Sequence, residues 1–211
     1  LLRTWSVALL GGLLLGLVVL AACSQTSAAC SNASPSWNKY HRGRTLDLAV
    51  VTIDCLPELR YSTIQQAPQP LPTGSPCASQ LPAPDLSTTP LEVGKLQHWR
   101  LTPSEKDWEL LLVRLKLENH TATSVIVNVD EEAAELRDFA STIYRPLNVA
   151  QRVQETAEPP GPKGRSIVFI QGPMELRKDC GVDGWVVFEA PKGTKLREFR
   201  WRASDSLSID F

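Results

Sequence analysis

WELLLVRLKLE, residues 108–118, decides the fold. Over Val113–Glu118 its apolar and charged residues alternate. Leu111, Val113, Leu115 and Leu117 face one way, and Arg114, Lys116 and Glu118 face the other. That period of two is the signature of a β-strand with one face against a core, since successive side chains leave a strand on opposite sides. Similar stretches recur on both sides of it. TLDLAVVTIDC (45–55) is β-branched and partly alternating, and Leu96–Leu101 forms a short strand. After a turn at Asn119–Thr123 comes SVIVNV (124–129), then a hairpin from 136–138 and 142–147. Ser166–Ile170, GWVVFE (184–189), Leu196–Arg202 and Ser206–Phe211 complete the set. Short strands at near-regular spacing with turns between them predict an all-β antiparallel sandwich or barrel.

Residues 65–90 interrupt this pattern. They are rich in proline, which supplies no backbone N–H and breaks both helices and central strands. The segment reads as a long loop inserted in the domain or a linker after an outlying strand.

Three blocks in this order, LKLEN (115–119), LRDFASTIYRP (136–146) and GWVVFEAPKG (184–193), resemble a bacterial family of extracellular and lipoprotein domains. That family has a telokin-like, immunoglobulin-like β-sandwich. The resemblance spans roughly Thr45 to Phe211 and implies an immunoglobulin-like fold and export. It implies no catalytic residues. The chain departs from the family pattern in its Pro-rich insertion, its cysteines and the acidic run after Val129.

The start of the chain points the same way. Arg3 is the only charge before Cys23, residues 5–20 are apolar apart from Ser6, and Leu20-Ala21-Ala22-Cys23 has the form of a lipobox. Residues 1–22 are thus expected to be a lipoprotein signal peptide. The Cys23 thiol would take a diacylglyceryl group, and residues 23–43 would tether a domain at 44–211. Two or three acyl chains hold a protein stably on a membrane where one does so only marginally. The expected location is the cell membrane or outer membrane, facing the periplasm or exterior.

Setting Cys23 aside leaves Cys30, Cys55, Cys77 and Cys180. An exported chain meets an oxidising compartment, so these four are disulfide candidates with three pairings open. The formal net charge of −1 gives no basis for electrostatic nucleic-acid binding.

Signals for chemistry are sparse. Asp130, Glu131, Glu132 and Glu135 form the densest acidic cluster and are weak candidates for a hard cation such as calcium, but their spacing matches no EF-hand loop. His41, His98 and His120 lie in no zinc-binding arrangement. GPKGRS (161–166) lacks the spacing of a phosphate loop, and a single methionine, Met174, offers little to copper. No cofactor and no catalytic residue is expected. The leading expectation is a non-catalytic binding module for an envelope protein, peptide or glycan. The alternatives are a structural envelope component, or a calcium-binding or metal-dependent enzyme using the acidic cluster.

Overall fold

The computed structural model describes residue 34 and residues 36–64, 96–160 and 167–211. In chain order the strands are β1 (His41–Arg42), β2 (Leu46–Leu56), β3 (Leu59–Ile64), β4 (Leu96–Leu101), β5 (Trp108–Asn119), β6 (Ser124–Val129), β7 (Ala134–Asp138) and β8 (Ile143–Tyr144). A single helical turn, α1 (Val149–Arg152), precedes β9 (Gln154–Thr156), β10 (Gly172–Arg177), β11 (Cys180–Pro191), β12 (Leu196–Trp201) and β13 (Leu207–Asp210). All strand pairs are antiparallel, in sheets ordered β1-β2-β5-β11, β13-β12-β7-β8, β3-β4-β9 and β10-β6. The fold is an all-β sandwich.

The stretch that opened the sequence reading is its central strand. On one face of β5, Leu111, Val113, Leu115 and Leu117 join the main core with Phe188, Phe199 and Trp201. Phe199 stacks on Trp201 and meets Phe188 edge-on. The other face is divided. Arg114 reaches Asp183 through two bonds of 2.8 and 2.9 Å near solvent, whereas Leu110 and Leu112 enter a second core with Leu59, Tyr61, Leu101 and Val187. The run Leu110–Val113 is continuous in sequence because β5 is covered on both faces at that level, a pattern expected of doubly buried strands.

The imperfect alternation of β2 has a local cause. Its register against β5 shifts between Val50 and Thr52, leaving one extra residue in β2. Leu46, Leu48 and Val50 before the bulge and Ile53 after it therefore all face the same core, with Cys55 packed against that core.

Several expectations need correction. The expected tether does not run to residue 43: β1 pairs with β2, the Asn38 N–H donates to Val50 O at 2.8 Å, and Trp37 packs on the main core and meets Phe211 edge-on. Partial burial of Trp37 and the β1–β2 pairing join this polar stretch to the domain. The strand expected over 166–170 is reduced to an isolated bridge between Phe169 and Trp185. β3, β9 and β10 carry no clean alternation and escaped the sequence reading. The Pro-rich segment 65–90 and the run 161–166 fall largely or wholly outside the described residues.

Candidate functional site: a cleft on the edge of the central sheet

The outer edge of β11 has unspent backbone groups, and two separate chain segments use them. Leu147 N–H donates to Val187 O at 2.7 Å. Two residues along, Ile170 N–H donates to Trp185 O at 2.9 Å and Trp185 N–H to Val168 O at 2.8 Å. Between these attachments the segments part, leaving a cleft of about 400 Å³ over Trp185, Val186 and Val187. Pro146 and the α1 turn form one wall; Phe169 to Gly172 form the other.

The walls are braced. Gln171 donates its amide N–H to Asn148 Oδ1 at 2.5 Å, and its Oε1 accepts the Val149 N–H at 3.1 Å, bridging one wall to the other. Phe169 meets Tyr61 edge-on with ring centroids 5.2 Å apart, and burial pushes the Tyr61 phenol up to about 12. Gly172 turns the chain into β10 with φ of +78°, a left-handed conformation that glycine adopts without strain. The floor is thus apolar and partly aromatic, with a pair of mutually bonded amides beside it.

The rim is acidic. Asp130, Glu131 and Glu132, in the turn between β6 and β7, border the cleft. Asp130 accepts the Asn128 amide at 2.8 Å and the Glu132 N–H at 2.9 Å, and Glu132 pairs with Arg145. Glu135 leaves this group. It is buried in β7 and paired with Arg137 at 2.9 Å and Arg202 at 3.2 Å. Burial alone would raise its carboxyl, but the hydrogen bond from Arg137 and the charges of Arg202, Arg137 and Arg145 outweigh that and hold it below the usual range. The acidic cluster therefore divides into a rim of three and a buried ion pair. Among the described residues no group of three His, Cys, Asp or Glu side chains could hold a metal ion.

The remaining sequence candidates are scattered. His98 Nδ1 lies 2.7 Å from Ser62 Oγ, and His120 lies 3.3 Å from Asp47. Asn119, the last residue of the LKLEN block, is buried and donates to Ala122 O and Leu176 O, both at 2.9 Å. Cys23, Cys30 and Cys77 lie outside the described residues. Cys55 and Cys180 are not free thiols. Cys55 sits opposite Leu111 of β5 and Cys180 opposite Asn119, at the two ends of that strand. At about 3.4 Å per residue they are roughly 27 Å apart along it, and disulfide Cα atoms lie within about 7 Å. The two cannot be bonded to each other.

Sequence reasoning missed Asn148, Phe169 and Gln171 because the cleft is made by loops crossing a sheet edge, which leaves no periodic signal. Trp185 was recognised as a sheet residue, but not as part of a floor.

No protein-family model matches the chain, and no curated protein does. Among solved structures the chain is similar to the yjhA protein from Bacillus subtilis, at 15% identity over 78% of each chain with a TM-score of 0.40. It is also similar to a functionally unknown protein from Listeria monocytogenes EGD-e, at 10% identity over 86% of this chain and 85% of that one, with a TM-score of 0.38.

Proposed function

We propose that this chain is a lipid-anchored envelope protein, held through Cys23, whose sandwich is a non-catalytic binding module with the edge cleft as its ligand site. The observation that supports this reading is the cleft itself: an apolar floor of Trp185, Val186 and Val187, a wall that carries Phe169, a fixed amide pair and an acidic rim. The ligand that suits it is a peptide segment with an apolar side chain beside a basic one. The apolar group would take the floor and the basic group would meet Asp130 and Glu131. Family-like export, the lipobox and a fold that resembles immunoglobulin-like sandwiches agree with this reading. In the same reading, Cys55 and Cys180 each form a disulfide with one of Cys30 and Cys77.

Selection of displayed peptides on the purified full chain tests it. Enriched peptides should carry an apolar–basic pair, change Trp185 emission, and bind several-fold more weakly to Glu131→Lys. Enrichment of sequences with no basic residue, or equal binding by Glu131→Lys, overturns the ligand assignment. Membrane fractionation and intact mass of the wild type against Cys23→Ala test the anchor.

A further inference from the structure

We propose that the end of the sandwich formed by the β7–β8 turn lies against the bilayer surface, an inference that rests on the lipid anchor at Cys23. Phe139, in this turn, is 66% exposed, and Ile143, the first residue of β8 just after it, is 43% exposed. A solvated turn gains nothing by presenting two large exposed apolar side chains within five residues.

The turn is held rigidly. Asp138 accepts the Thr142 N–H at 2.8 Å and the Tyr144 hydroxyl at 3.0 Å, and Phe139 N–H donates to Lys195 O at 3.3 Å. Ser141 takes a φ of +68° to close it. The apolar pair is therefore presented in a fixed direction. Beside it, the loop between β11 and β12 exposes Lys192 and Lys195, which suit lipid phosphates. Glu105 and Asp107 lie on the adjoining loop, with Asp107 O accepting the Lys192 N–H.

The place where the described chain begins selects this end over the other. Ser36 Oγ donates to Asp210 O at 2.6 Å, Trp37 meets Phe211, and Phe211 N–H donates to Arg197 O. Arg197 follows Leu196, which pairs with Asp138 at the base of the turn. The chain thus enters the domain at the end that carries Phe139. Eleven residue steps separate Ser34 from Cys23, a span of at most about 40 Å. With Cys30 bridged to Cys55 and not to Cys180, which lies opposite Asn119 toward the other end, an anchor on so short a reach keeps this end at high local concentration near the lipid, so a small apolar contact suffices to orient the domain.

Ile126 supplies an internal control. It is 69% exposed, and its carbonyl accepts the Ser204 hydroxyl at the opposite end of β12 and β13. Phe139→Trp and Ile126→Trp are made in the full lipidated chain. Each is reconstituted in vesicles of phosphatidylglycerol and phosphatidylcholine brominated near the headgroup, with folding checked by thermal melts. The emission added by Phe139→Trp should be largely lost to bromine quenching, and that added by Ile126→Trp retained. Equal quenching of the two, or quenching of Ile126→Trp alone, overturns the inference while leaving the anchor standing if the protein still floats with the vesicles. If Cys23→Ala floats as the wild type does, the anchor reading fails separately. A blue shift of Phe139→Trp that grows with protein concentration in the absence of lipid, without bromine quenching, assigns the turn to a second copy of the chain and also overturns the inference.

Discussion

Replacing Asp205 with alanine should loosen the two sheets of the sandwich from each other at one end. The Asp205 carboxylate accepts the backbone N–H groups of Thr45 at 2.9 Å and Leu46 at 3.1 Å, joining the β12–β13 loop to the start of β2 across some 160 residues of chain. Gly43 makes room for this contact, since a Cβ there would lie 2.3 Å from Asp205 Oδ2. A hydrogen bond to a charged group contributes about 1.5–3 kcal/mol, and the half-exposed site lets water replace part of that. The expected loss for Asp205→Ala is therefore about 2–3 kcal/mol, with Asp205→Asn, which keeps one acceptor oxygen, losing roughly half as much. Urea unfolding followed by tryptophan emission measures it, with the slope against denaturant unchanged. The pH dependence follows from the sign of the shift. Burial would raise the Asp205 carboxyl, but the N–H groups of Thr45, Leu46, Ser206 and Arg44 outweigh it and hold it below the ordinary aspartate range. Its contribution is then complete above the unfolded-state value of about 3.9 and is lost as pH falls through the lower folded value. The gap between wild type and Asp205→Ala should close in acid. A gap under about 0.5 kcal/mol at neutral pH, or one that persists undiminished in strong acid, refutes the reasoning.

Three further outcomes are expected. In Gly184→Ala the new Cβ would lie 2.7 Å from both Ile170 Cγ1 and Val168 O, so the 168–170 wall must lift from β11. The cost should be about 1–3 kcal/mol, with faster amide exchange at Ile170 and weaker peptide binding; unchanged exchange there contradicts the account. Tyr144→Phe removes the hydroxyl bond to Asp138 and should cost about 1–2 kcal/mol in a urea melt, leaving the cleft's affinity intact. Non-reducing peptide mapping should never yield a fragment joining Cys55 to Cys180, because β5 holds them at opposite ends; recovery of that fragment contradicts the strand register.

The legible part of the fold was the part with period two. Residues 113–118, 124–129 and 196–201 were readable because there each strand has one face in a core, and burial imposes alternation. β3 and β9 were not, since they form a small sheet against a second core that no local pattern announces. β10 escaped for a related reason: GPMELR buries only Leu176 among its six residues. Residues 36–42 were placed in the tether on their polar composition, which carries no record of β1 pairing with β2.

The candidate site was less legible still. The acidic run was visible as a cluster, but its division between the rim and the buried Glu135 depends on which face of β7 each residue takes once Arg202 arrives from β12. The sequence by itself determined the all-β class and the central strand, and it raised the expectation of a lipid anchor at Cys23. Tertiary structure alone decided that Cys55 and Cys180 stand apart, that a cleft opens beside β11, and that Phe139 shares an end of the sandwich with the entering chain. The reason is physical: alternation is written by each strand's own burial, whereas clefts and shared ends come from contacts between residues far apart in the chain.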